Sequence, residues 1–192
     1  GNVTTLAGQK GVSGFADGQG TNASFGSLRG VAVDSSFNVY VADRNNHIIR
    51  VIDSSGNVTT LAGEGGISGS TNGQGTTAKF NSPYGVAVDS SGNVYVSDKG
   101  NHLIRKINYS GNVTTLAGLD GVSGSSDGNG TNARFNSPYG VAVDSLGNVY
   151  VTDKDNHLIR KIDASGNVST LAGQAGVSGF ADGQGTNASF GS

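Results

Sequence analysis

GNVTTLAG opens the chain at Gly1, recurs at Gly56 and Gly111, and returns as GNVSTLAG at Gly166, a period of 55 residues kept without one insertion. Other landmarks hold the same phase: VAVDS starts at Val31, Val86 and Val141, and NHIIR, NHLIR and NHLIR start at Asn46, Asn101 and Asn156. A fixed period of this length makes each unit one supersecondary module, unable to bury its apolar surface alone and obliged to stack on its neighbours.

Inside the second unit, runs rich in β-branched and aromatic residues cover 84–90, 93–98, 102–108 and 112–118, with turn residues such as Ser91 and Gly92 between them. Connections so short join antiparallel neighbours. The segment 119–137 that follows carries too much glycine for a helix. The expected unit is therefore a four-stranded antiparallel meander followed by a long loop, and the expected fold class is all-β. Stacked radially, such sheets form a β-propeller. GVAV, nearly all apolar, reads as the innermost strand of a blade, and NVTTLAG, which alternates, reads as its rim. A β-solenoid, the other stacked architecture, is built from shorter coils.

Composition removes several classes of function. The chain has 192 residues and no cysteine, so disulfides, thiol chemistry and thiolate metal sites are excluded. Its net charge is −2, with Lys and Arg scattered rather than gathered into the basic stripe of a nucleic-acid surface. No charged and apolar leader and no apolar run near the ~20 residues of a membrane span occurs, which leads us to expect a soluble, mature or excised piece with no membrane partner.

The stretches SDKGNHLIRKI (97–107) and TDKDNHLIRKI (152–162), with the preceding FNSPYGVAVDSSGNVYVSD (80–98), resemble the signature of the NHL-repeat family, in its bacterial form. The triplet that gives the family its name stands at 101–103 and 156–158, and the first unit has Asn-His-Ile at 46–48. The resemblance covers every complete unit and implies a propeller, usually of six blades. It implies no single function.

The recurring polar residues read first as structure. His47, His102 and His157 occupy the same point of consecutive units, hence separate blades, and so are not expected to converge on a metal. The resemblance implies that each braces the turn into the third strand together with the preceding Asp. Asp43, Asp98 and Asp153 end the second strand, Asn46, Asn101 and Asn156 follow in the turn, and Arg50, Arg105 and Arg160 are expected to point out of the third strand. An Asp–Arg pair at an exposed blade edge would contribute only about 0–1 kcal/mol. Asp34, Asp89 and Asp144 close the innermost strand, where a side chain can bond the backbone two residues on, which is the favoured reading; lying near the central channel, they are also the better of these series as candidates for a ligand site. Each connecting loop, such as ADGQGT at 16–21, pairs one acid with glycines, too few carboxylates for calcium, and the second loop has Asn72 in the acid's place. Phe25, Phe80, Phe135 and Phe190 stand just ahead of each blade as anchors.

No nucleophile, general base or oxyanion arrangement stands out, and no cofactor or metal is expected. The units are near copies, whereas a channel site needs particular blades to contribute particular residues. The expected function is a non-catalytic scaffold or binding module for a protein or glycan that the sequence does not name. A metal-dependent propeller hydrolase or lyase and an RNA-binding NHL domain are the alternatives.

The chain divides as one repeat domain: an outer strand and loop at 1–27, then repeats at 28–82, 83–137 and 138–192. Segments 1–27 and 166–192 differ only at Thr4/Ser169 and Lys10/Ala175. Thirteen strands are expected, three inner triplets and four outer strands. Three blades cannot close a ring, and two copies supply six, so the expected partner is a second copy in a homodimer. Each seam then has two outer strands for one place, with the chain's own 167–173 favoured by its tether. A strand-swapped oligomer, or six blades in one longer polypeptide, are the other routes to closure.

Overall fold

The computed structural model describes residues 1–191. It is all-β, with helical turns of three residues only. The first blade contains β1 (Gly18–Gln19), β2 (Leu28–Val33), β3 (Val39–Asp43), β4 (Ile48–Ile52) and β5 (Asn57–Ala62). The second contains β6 (Gly73–Gln74), β7 (Pro83–Val88), β8 (Val94–Asp98), β9 (Leu103–Ile107) and β10 (Asn112–Ala117). The third contains β11 (Gly128–Asn129), β12 (Pro138–Val143), β13 (Val149–Asp153), β14 (Leu158–Ile162) and β15 (Asn167–Ala172). Each is an antiparallel sheet, ordered β1-β5-β4-β3-β2 in the first and equivalently in the others.

The expected four-stranded meander holds, and a fifth strand of two residues is added by the Gly-rich loop. That strand comes from the loop preceding the blade: Gly18 pairs with Val58 and Gln19 with Asn57, and Gly20 N donates to Gly56 O at 2.9 Å. The loops after β5 and β10 thus leave one blade and land on the next. The blade is a loop followed by a meander, whereas the sequence division at 28, 83 and 138 placed the loop at the end of its unit.

Twelve meander strands are present among the described residues, one fewer than expected. The missing one is the N-terminal copy: residues 1–7 pair with no strand, and Val3 is 99% exposed. The chain's own β15 fills the outer place of the third blade, as its tether favours.

Apolar faces join the blades. Tyr40, Ala42, Ile49 and Ala62 on the rear of the first blade pack with Ala78, Phe80, Val86, Val94, Val96, Ile107 and Val113 on the front of the second. Tyr95, Ile104 and Ala117 meet Ala133, Phe135, Val149, Val151, Ile162 and Val168 in the same way. Inner strands approach so closely that a Cβ on Gly85 would strike Tyr139 O, which is why glycine stands there.

Candidate functional site

The first candidate is the recurring Asp-Asn-His-Arg set. Asp98 and Arg105 are both 0% exposed, as are Asp43 and Arg50, and Asp153 and Arg160. This corrects the expectation that the arginines point outward in weak edge pairs. Arg105 Nη1 donates to Asp98 Oδ2 at 2.9 Å and to Lys79 O at 3.0 Å, and its Nη2 donates to Asn72 Oδ1 at 2.7 Å. Arg160 holds Asp153 Oδ2 at 2.9 Å and Asp127 Oδ1 at 2.8 Å. Arg50 binds Asp17 Oδ1 at 2.8 Å and sits farther from Asp43, 3.6 Å. Each guanidinium lies over a phenylalanine ring, Phe25, Phe80 or Phe135, at 5.0–5.2 Å. The loop Asp that invited a calcium reading is therefore a clamp on the arginine. Asn72 serves as well because only its acceptor oxygen is used.

The turn is braced by Asn rather than His. Asn101 Nδ2 donates to Asp98 Oδ2 at 2.8 Å and to Gly69 O at 2.7 Å, and Asn46 and Asn156 do the same. Against the implied brace, His47 Nδ1 accepts from Ser82 N of the next blade at 3.0 Å, and His102 Nδ1 from Ser137 N at 3.0 Å. Burial and the nearby Arg44 hold the His47 pKa below its usual value, so the ring stays neutral and its Nδ1 accepts. The same 35-residue spacing leads from His157 to Ser192, outside the described residues. His47 and His102 are latches between blades.

The Asp34, Asp89 and Asp144 carboxylates lock turns. Asp89 Oδ1 accepts from Ser91 N and Asn93 N, each at 2.9 Å, and Oδ2 from Asn93 Nδ2 at 2.8 Å and Tyr95 OH at 3.0 Å. Asp34 and Asp144 repeat the pattern. With both oxygens occupied, they are turn formers rather than channel ligands.

The two acid series titrate apart. The Asn148 side chain leads the donors that pull Asp144 down to about 2. Burial instead pushes Asp98 up to about 6, against Arg105, the Asn81 amide and Asn101. Asp144 therefore supports folding above the ordinary carboxylate pKa and loses that contribution as pH falls through about 2. Asp98 favours the folded chain below that ordinary value and loses the contribution as pH rises through about 6. Carboxyl-carbon NMR is expected to show Asp98 titrating near 6 and Asp144 near 2; coincident midpoints for the two would overturn the account.

A cluster that the sequence reading missed lies where the inner strands begin. Tyr84 and Tyr139 stack with centroids 4.0 Å apart. Arg29 sits over Tyr84 at 5.5 Å, and Lys99 and Lys154 over Tyr139 at 5.0 and 5.5 Å. Leu28, Gly30, Gly85 and Gly140 complete a shallow depression of about 350 Å³ with Arg29 and the tyrosines. The signal was available: the residue after each second-strand Asp is a cation, Arg44, Lys99 or Lys154. Among the described residues, no group of three or more His, Cys, Asp or Glu is placed to hold a metal ion.

The remaining feature is a pair of faces with no blade against them, although on the first blade Ala23, Phe25, Val41, Ile52 and Val58 are already covered within the blade and the exposed part is at Val31 and Val33. Val31 on the first blade is 63% exposed, whereas its equivalent Val86 is 5% exposed against the first blade. On the rear of the third blade, Thr152 is exposed and Tyr150 and Ile159 are half-buried, whereas Ser97, Tyr95 and Ile104 are buried by the blade that follows them.

The NHL repeat model matches residues 25–52, 80–107 and 135–162. Protein SUPPRESSOR OF QUENCHING 1, chloroplastic, of Arabidopsis thaliana is 33% identical over 133 residues, covering 65% of this chain and 12% of that protein. NHL repeat-containing protein 2 of Homo sapiens is 41% identical over 95 residues, 48% of this chain and 13% of that protein. The chain thus spans about an eighth of the length of these relatives. An auxiliary nutrient binding protein from Bacteroides thetaiotaomicron superposes with a TM-score of 0.63 at 26% identity, over 73% of this chain and 36% of that one. A gluconolactonase from Xanthomonas campestris shares the fold alone, with a TM-score of 0.55 at 16% identity, over 76% of this chain and 46% of that one. With three in-phase matches, one on each of three successive propeller blades, this chain belongs to the NHL-repeat β-propeller family.

Proposed function

We propose that the chain is a non-catalytic β-propeller scaffold that closes a six-bladed ring with a second copy of itself and offers the mouth of the ring to a ligand. The observation that carries this reading is the pair of open faces. The rear of the third blade repeats the residues that the first and second blades use for their own junctions, and the front of the first blade repeats the surface they meet. Burying one Val from such a face contributes roughly 1.5–3 kcal/mol, and each junction buries several. Two copies expose four such faces when apart and none when closed.

Light scattering at micromolar concentration is expected to give twice the 19.2 kDa mass of one chain. Val31→Lys places a charge in each seam and is expected to return the mass to one chain while β-sheet circular dichroism persists. A single-chain mass for the unaltered protein would end the reading. The cations Arg29, Lys99 and Lys154 around the stacked tyrosines favour an anionic ligand at the mouth. Retention of single-stranded RNA in a gel shift at low salt would move that ligand to nucleic acid.

A further inference from the structure

We propose that the C-terminal loop of one chain, residues 174–191, is a clamp for the first blade of its partner, exchanging there with the partner's own residues 8–27. The proposal rests on the ring-closure reading above.

Both loops that link two blades cross the junction between them. The loop after β5 lands on the second blade, where Asn72 grips Arg105, and the loop after β10 lands on the third, where Asp127 grips Arg160. In each case, and for Asp17 on Arg50, the gripping residue lies 33 positions before its arginine. The loop after β15 carries the next member of the series, Asp182, whose arginine would belong to the blade that follows the third. Among the described residues Asp182 makes no ion pair, and Phe180 in the same loop is 99% exposed. In a ring of two copies the blade that follows is the partner's first, and the arginine is the partner's Arg50.

The loop already has the clamp's shape. Gly179 N donates to Phe190 O at 3.1 Å, as Gly124 N does to Phe135 O on the third blade. Ala181 N donates to Ser189 Oγ at 3.0 Å, as Ala16 N does to Ser24 Oγ on the first. A segment preformed in this way binds with little ordering cost.

Residues 176–192 are letter for letter residues 11–27. The two loops differ only at the exposed Lys10/Ala175 position, so over residues 11–26 the seat on the first blade makes the same contacts with either loop and their contact energies cancel. The balance is set by tethering: residues 8–27 run directly into β2, while 174–191 extend from the neighbouring β15. Two equal occupants of one seat exchange, and a small change on either side shifts the populations.

The native absence of cysteine makes the exchange readable. Gln19 pairs with Asn57 across β1 and β5, and Gln184 is its equivalent 165 residues on. The pair is of the non-hydrogen-bonded kind, since Gly20 N bonds Gly56 O beside it, and such pairs lie within disulfide reach. Oxidised Gln184→Cys/Asn57→Cys is expected to run as a disulfide-linked dimer on a denaturing gel, while Gln19→Cys/Asn57→Cys runs as a single chain. Adding Asp17→Ala is expected to raise the cross-linked fraction relative to free chain about fivefold, and adding Asp182→Ala to lower it by a similar factor, the scale of one half-exposed ion pair. A dimer by light scattering that yields only single chains after oxidation would overturn the clamp and leave the ring standing. A single-chain mass before oxidation would remove the ring itself, and the clamp with it. A ladder of linked multimers would overturn the closed two-copy form.

Discussion

Arg105→Met is expected to destabilise the chain by about 3–5 kcal/mol, the cost of breaking a buried ion pair from one side. The side chain is fully buried, and it satisfies the Asp98 carboxylate, the Lys79 carbonyl and the Asn72 amide oxygen together. Methionine fills much of the volume but takes the guanidinium from these acceptors and from the Thr71 carbonyl, leaving the buried Asp98 with the Asn81 and Asn101 donors and no cation. The second blade is the sharpest place for this test, because Asn72 leaves Asp98 as the only carboxylate on Arg105 among the described residues, whereas Arg160 touches both Asp153 and Asp127. The variant should also become pH-sensitive in a particular direction. Burial already pushes Asp98 up to about 6, and removing the guanidinium raises it further. A raised carboxyl favours the folded state at low pH and loses that contribution as pH rises through its folded pKa, so the deficit should be smaller at pH 5 than at pH 8. Urea titrations at the two pH values measure this. A deficit below about 1 kcal/mol, or one that grows on acidification, would mean that the pair is not buried as described.

Phe80→Ala is expected to cost about 3–5 kcal/mol, the usual range for emptying a fully buried aromatic site. Phe80 has no exposed surface, belongs to the cluster that joins the first two blades, and carries the Arg105 guanidinium on its ring at 5.2 Å. Because stacked repeats are held by nearest-neighbour interfaces, a cavity at that junction should also uncouple them. The parent is expected to unfold in one urea transition, and Phe80→Ala to split it into two or to lower its steepness. Phe25→Ala, whose ring packs with Val41, Ile52 and Val58 inside the first blade and, among the described residues, joins no second blade, should leave the transition single. Equal losses from the two variants with an unchanged slope would show that the junction does not couple the blades.

The repeat, the strand positions and the propeller were legible because each depends on local pattern. β-branched residues alternate within short runs, glycine and serine separate them, and the phase never slips. The Asp89 turn was legible for the same reason, since its partners Ser91, Asn93 and Tyr95 lie within six residues. The polar set around Arg105 was located correctly and misread in its burial. An arginine and an aspartate alternating out of two strands look like an edge pair until the loop 71–82 is known to fold over them, and that closure involves Thr71, Asn72 and Lys79, between 26 and 34 residues away. His102 was misread likewise, because its partner Ser137 lies on the next blade.

The sequence by itself determined the period, the four strands of each meander, the chemistry of the turns and the near identity of residues 1–27 and 166–192. All follow from which residue types stand next to one another. Only the tertiary structure decided where the Gly-rich loops belong. In the chain each loop is as close to the meander before it as to the one after, so adjacency assigns it to neither. Packing breaks that symmetry: the buried arginine of the following blade needs acceptors that its own strands do not supply, and the preceding loop brings them. What the repeated ends signify changes accordingly: of the two outer strands that could fill one place, β15 completes the third blade while residues 1–7 pair with no strand, and the loop 8–27 belongs to the first blade.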